Sequence, residues 1–227
     1  MFRCSFLAAV GLLLSASALT AQTPNPSPAP AATESAPLQE TMEDPQVGDR
    51  WTYEVRDDIT GEIKSTTTNT ITDISATDIS IRTSLLGNAN FGYVNYDRSW
   101  NRTSNDTWRF TPNDGSGIRL PLEVGKTWSV SASDVNRTTG FDWKRTAKSK
   151  VVAQESLTTR AGTFETFKIE ITYDFQSAKN PSKKFQEVAQ GWYAPAIDHW
   201  VKQANVTRSD GRVRSKFTSE LIEYGRR

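Results

Sequence analysis

Few residues of this 227-residue chain are equipped to move a proton, hold a metal or attack a bond. His199 is the single histidine, and Asp198 stands directly before it. Neighbours in an extended segment point to opposite faces, so the two do not form a base with its orienter. A His199-dependent hydrolase would need a carboxylate from elsewhere in the chain. The GSG at 115–117 lacks the frame of a nucleophile elbow. One histidine and one cysteine, Cys4, exclude the common structural zinc sets. Loops such as Asp57-Asp58 and Asn113-Asp114 lack EF-hand spacing and read as turn residues. Nothing selects two carboxylates for glycoside cleavage, and no phosphate-cradling loop or dinucleotide fingerprint is present. No catalytic residue, metal or cofactor is assigned, and the chain is expected not to be an enzyme.

The elements around these residues begin with an export signal. Arg3 precedes an apolar run from Phe6 to Leu14, and small residues follow. That pattern is a secretory signal, residues 1–21, and is too short to span a bilayer. Cys4 lies ahead of the apolar run, so the mature chain has no cysteine and must fold without disulfides. Residues 22–45 are rich in Pro, Ala, Ser and Thr and are expected to form a disordered tether. A single domain is expected over 46–227. Without Arg3 and the four acids of the tether, 26 basic residues face 22 acidic ones, about +4 by formal count. So mild a charge gives no case for nucleic acid. The expected location is the periplasm or outside a bacterial cell.

Period-two alternation dominates the domain. In FKIEITYDF, residues 167–175, Phe167, Ile169, Ile171, Tyr173 and Phe175 share one face, and charged or hydroxyl side chains share the other. Turn signals punctuate such runs at 60–61, 87–90, 112–117, 138–140, 179–182 and 209–211. No stretch has helical period, so an all-β, antiparallel, hairpin-built sheet follows. One five-residue frame occurs twice, as Val47-Gly48-Asp49-Arg50-Trp51 and Val124-Gly125-Lys126-Thr127-Trp128. In each, Gly can adopt positive φ and turn the chain into a strand that Trp opens. The frames are read as a folding device and a weak internal repeat.

Three stretches, RLPLEVGKTWS (119–129), RAGTFETFKIE (160–170) and GWYAPAIDHWVK (191–202), together carry a resemblance. The order of Val124, Gly125 and Trp128, then Gly162, Thr163 and Phe164, then Trp192, Tyr193, Ala194 and Pro195 resembles the TapB-like exported bacterial proteins. Those look related to periplasmic half-barrel proteins that include lipoprotein carriers. The resemblance covers roughly 46–224 and implies a strongly curved half-barrel with one concave face and no catalytic residues. The group usually follows Tyr-Ala-Pro with a glycine-containing turn, where this chain has Ala196, Ile197, Asp198 and His199.

A curved sheet with little helix leaves its concave face in need of a cover. The leading expectation is a non-catalytic envelope protein that binds an apolar or amphipathic ligand there, through Phe167, Ile169, Ile171, Tyr173, Phe175 and Trp192. The alternative is a structural or interaction module of the envelope, and the hydrolase stands third. Lipid, glycan or another envelope protein are the expected partners; the oligomeric state is left open. Basic stripes at Arg212, Arg214 and Lys216 and at Lys148 and Lys150 suit edge protection or anionic headgroups. The sequons at 101–103, 105–107, 136–138 and 205–207 read as ordinary Thr-rich strand and turn sequence in a bacterial protein.

Overall fold

Alternating segments become strands throughout. In the computed structural model, residues 41–226 are described. The signal and the tether up to residue 40 lie outside the described residues. Strands β1 (Arg50–Asp57), β2 (Ile63–Ile74), β3 (Asp78–Leu85), β4 (Phe91–Asp97), β5 (Arg102–Asn105) and β6 (Trp108–Thr111) come first. Then follow β7 (Thr127–Asn136), β8 (Asp142–Thr159), β9 (Gly162–Ser177), β10 (Lys184–Ala194), β11 (His199–Ser209) and β12 (Arg212–Gly225). The one helical piece among them is a 3-10 turn, Pro195–Ile197.

Every strand pairs antiparallel with its chain neighbours, and β1 also pairs with β12, from Arg50 opposite Gly225 to Asp57 opposite Phe217. The sheet is therefore a closed barrel of 12 strands, which corrects the expected half-barrel with an open concave face. The physical reason is that a lone sheet has two unpaired edges and one uncovered apolar face. Pairing the first strand with the last removes both defects at once.

The up-and-down path puts the turns at 58–62, 86–90, 106–107, 137–141, 178–183 and 210–211 at one end, here the upper end. The lower end holds the 3-10 turn and the chain segment that enters β1. There Met42 is fully buried and donates its backbone N–H to the Ala196 carbonyl at 2.7 Å. Packing thus begins ahead of residue 46, inside the stretch expected as tether. Asp198, at φ 43°, takes the left-handed position of this glycine-free turn.

Both repeated frames work alike. Gly48 (φ 99°) and Gly125 (φ 95°) donate to the carbonyls of Ile71 and Val151, at 2.9 and 2.8 Å. Ile71 and Val151 donate back to Asp49 and Lys126, both at 2.9 Å. Val47 and Val124 are exposed, whereas Trp51 and Trp128 are buried. The likeness is a local turn that starts β1 and β7; β1 to β12 form one continuous meander.

Twelve strands enclose more space than their own side chains fill. The connection from β6 to β7 folds inward to occupy part of it, burying Asp114, Ile118 and Leu122. A Cβ on Gly115 would stand 2.7 Å from that of Ala147, and one on Gly117 would stand 2.1 Å from the Ser99 carbonyl. Only glycine lets this plug approach the wall so closely. Outside the barrel, the long β8–β9 hairpin lies across β10, β11 and β12. Its Glu155 accepts from Trp192 Nε1 at 2.6 Å, its Phe164 packs edge-on against Tyr224 at 5.7 Å, and Arg160 pairs with Glu54 of β1 at 2.6 Å.

Candidate functional site

Strand register decides what faces inward. Arg145 of β8, Phe175 of β9 and Phe185 of β10 form one inward row, and Ala147, Tyr173 and Glu187 form the next. Arg145 among apolar neighbours demands a buried partner. Its Nε donates to Asp134 Oδ2 at 2.8 Å, its Nη2 to the same oxygen, and its Nη1 to the Asp114 carbonyl at 2.9 Å. Arg102 donates to Asp114 twice, from its backbone N at 2.9 Å and from Nε at 2.6 Å. Burial pushes the Asp114 carboxyl up, but Arg102, Arg145 and hydrogen bonds from Ser116 outweigh it and hold it below the ordinary value. The plug is thus pinned by charge. Arg145 also lies over the rings of Phe110, Tyr173 and Phe175, at 5.1, 5.5 and 4.8 Å.

Beside the plug, at Ser116, a cavity of 390 Å³ remains in the lumen. Tyr53, Tyr96, Trp100, Trp200 and Phe217 give it flat apolar surface. Thr67, Glu187, Gln203, Asn205 and Ser219 give it polar surface. None of those five side chains hydrogen-bonds to another group among the described residues, so their hydrogen-bonding capacity faces the cavity. Burial raises the Glu187 carboxyl above its ordinary value against the pull of Arg102 and Arg145. Sequence reasoning missed these polar residues, which come from four strands, β2, β10, β11 and β12.

His199 borders the same cavity, stacked on Trp51 at 4.1 Å and edge-on to Trp100 at 4.6 Å. Burial lowers its pKa to about 3, so it is neutral at any physiological pH. No carboxylate hydrogen-bonds to His199 among the described residues. Asp198 Oδ1 instead accepts from Tyr193 Oη at 2.5 Å. Among the described residues His199 is thus held by aromatic packing and has no carboxylate partner.

The expected ligand stripe is placed as follows. Ile169, Ile171, Tyr173 and Phe175 point inward and are buried in the core, and Phe167 is half-buried against the same cluster. Ile171 and Tyr173 border the lumen beside Glu187. Trp192 lies apart from them, on the outer wall beneath the β8–β9 hairpin, with Lys168 4.7 Å and Lys202 5.7 Å from its ring. Tyr193 is buried with the inward cluster, and Pro195 begins the 3-10 turn. The stripe is core, and two of its members also border the polar lumen.

A second concavity lies at the upper end, between the turns at 178–183 and 210–211. It measures 740 Å³, and Phe175 and Phe185 line it together with Lys144, Lys184 and Arg208. Phe175 and Phe185 stack at 4.2 Å, and Trp143 meets Phe185 edge-on at 5.0 Å. The outer wall next to it bears Lys148, Lys150, Glu170 and Thr172, where a transmembrane barrel would carry an apolar band. Lys148 and Lys150 sit on a strand paired on both sides, so they protect no edge; Arg212 and Arg214 stand beyond the last residue of β1, where β12 is open.

Comparison with known proteins agrees with this architecture. Residues 130–216, from β7 into β12, are similar to the DUF3108-like family. The fold is similar to that of an exported protein from Bacteroides fragilis described as having a YmcC-like fold. That likeness has a TM-score of 0.53 at 12% identity and covers 82% of this chain and 100% of that one. A protein from Parabacteroides distasonis described as a lipoprotein is similar too, with a TM-score of 0.51 at 14% identity over 82% of this chain and 99% of that one. At such identities the likeness is one of fold alone. No curated protein matches the chain. No helix among the described residues is long and apolar enough to cross a membrane.

Proposed function

We propose that this chain is an exported, non-catalytic envelope protein that binds a small amphipathic ligand inside its barrel. The observation that carries the reading is the lumen, where aromatic faces oppose polar side chains that have no protein partner. These side chains are half-buried, and polar groups in such a lumen without a protein partner bind water or a ligand. A molecule with hydroxyl or amide groups on one side and an apolar face on the other matches that lining. The export signal, the TapB-like resemblance and the exported and lipoprotein neighbours support an envelope location. Native mass spectrometry of the protein recovered from the bacterial envelope without detergent tests it. A defined adduct is expected, and Gln203→Leu with Asn205→Leu should abolish it. A bare monomer from wild type would overturn the reading.

A second reading, an interaction module, is favoured by one patch. Leu86 (83% exposed), Phe91 (53%) and Tyr93 (46%) stand together at the β3–β4 turn, with the Phe91 and Tyr93 rings 5.5 Å apart. Loss of a co-purifying protein on Leu86→Asp, with the lumen adduct absent, would select it.

A further inference from the structure

The barrel interior has two unlike halves. Along β7 to β9 the inward side chains are mostly apolar, and the plug packs on them, with Ile118, Ala147, Val151, Ile169 and Ile171 in one buried cluster. Along β10 to β12 and β2 the inward positions carry hydroxyls and amides instead. Gln203 pairs with Ser219 and Asn205 with Phe217 in the cavity wall, and Thr207 with Ser215 continues the same face toward the upper end. On β2, Thr67 and Asn69 line the cavity, and Ser65 shares their face. Asn69 Oδ1 accepts from Thr83 Oγ1 at 2.8 Å, which leaves the Asn69 Nδ2 for a ligand. Such side chains gain nothing by facing one another across an empty barrel.

The apolar part of the cavity wall is aromatic. No Leu, Ile, Val or Met lines it, and only a recess of 70 Å³ beside it adds Ile171 and Ala189. Half-buried Tyr96 and Phe217 and the margins of Tyr53, Trp100 and Trp200 supply its flat surfaces. These rings are fixed. Tyr53 Oη donates to the Trp200 carbonyl at 2.7 Å, and a Cβ on Gly191 would stand 2.5 Å from the Trp200 ring, which therefore lies against bare backbone. Trp100 holds φ 62°, a strained setting for a bulky residue that persists only where its surroundings impose it. The one cation in the wall, Arg102, is already paired with Asp114 at 2.6 Å, so no free charge awaits an anionic head. An acyl chain would leave the amides and hydroxyls unpaired. A sugar hydroxyl both donates and accepts, as they do, and the C–H face of a sugar ring suits the negative face of an aromatic one. From these features, and resting on the lumen as the binding site, we infer that its ligand is a neutral saccharide. Thr67, Asn69, Gln203, Asn205 and Ser219 share its hydroxyls, and one ring lies on Phe217, which Asn205 and Ser219 flank on the same inner face.

Acid hydrolysis and monosaccharide analysis of whatever the full protein carries out of the envelope, purified without detergent, tests the inference. Sugar is expected in stoichiometric amount, released when the protein is denatured. Phe217→Leu keeps an apolar side chain but removes the ring, and should lower the retained sugar about two- to tenfold. An acyl ligand would be held by that variant as well as by wild type. Ser219→Ala changes too little volume to disturb folding and should also lower the retained sugar. An adduct that yields fatty acid and no sugar would overturn the saccharide while leaving the lumen as a binding site. A bare protein would overturn the lumen reading itself. Sugar that stays on the denatured chain, or that is retained equally by Phe217→Leu and Ser219→Ala, would lie outside the lumen and sink the inference.

Discussion

Asp114 and His199 illustrate opposite ways of burying a titratable side chain. Asp114 stays charged because two arginines and Ser116 surround it. Replacing it with Asn leaves Arg102 and Arg145 short of charge in a low-dielectric interior, and a loss of about 3–5 kcal/mol is expected in urea denaturation. His199 stays neutral because aromatic rings enclose it. Its folded pKa of about 3 lies below the unfolded value of 6.5, so the unfolded chain binds a proton first as pH falls. Stability should therefore decline from pH 6.5 toward pH 3, by at most about 1.4 kcal/mol per unit from this group. Glu187, raised above 4.5, acts the other way, its contribution fading as pH rises past that value. His199→Phe should flatten the decline between pH 6.5 and 4.5, as read by urea midpoints. An unchanged slope would mean that His199 is not the group responsible. Little of this was legible in the sequence: Asp114 sits in a turn-like PNDGSG, and only its partner left a trace. In the inward phase Arg145, Ala147, Ser149, Val151, a lone arginine signals a buried carboxylate whose identity periodicity does not give.

At the scale of elements, the strands and their turns were legible because period two is a local property. The β9 stripe, the two Gly-Trp frames and five of the turn signals fall where the spacing put them. Gly125→Ala, with no neighbour in the way of the added Cβ, should cost only the positive-φ strain, about 1–2 kcal/mol. Trp192 was harder to place, since Trp192 and Tyr193 are adjacent aromatics and alternation gives one to each face. Trp192 packs with Phe164 and with Leu157 and Ala161 of the β8–β9 hairpin tip, in the cluster that also holds Trp51 and Leu221. Trp192→Ala should remove about 3–5 kcal/mol and raise hydrogen exchange at residues 155–164. Arg160→Ala should cost under about 1 kcal/mol, because its pair with Glu54 is solvent-exposed on the arginine side. An equal effect of the two would show that the tip is held by charge instead of packing.

For the whole molecule, what local periodicity could not announce is that Trp51 and Tyr224, near opposite ends of the chain, would face each other across one ladder. That pairing has a consequence for the order of events in folding. Eleven of the barrel's strand pairings join neighbours in sequence, and the twelfth joins the first strand to the last. A chain that emerges N-terminus first cannot make that last pairing until its C-terminal strand is out, so β1 waits with a bare edge. Loop-closure entropy over nearly the entire domain makes this the slow step. A circular permutant that links residue 226 to residue 41 and opens at Asn88 turns the seam into a hairpin. It should fold faster than the natural order in stopped-flow refolding while reaching a similar final fluorescence. Equal rates would place the barrier elsewhere, in the docking of the plug.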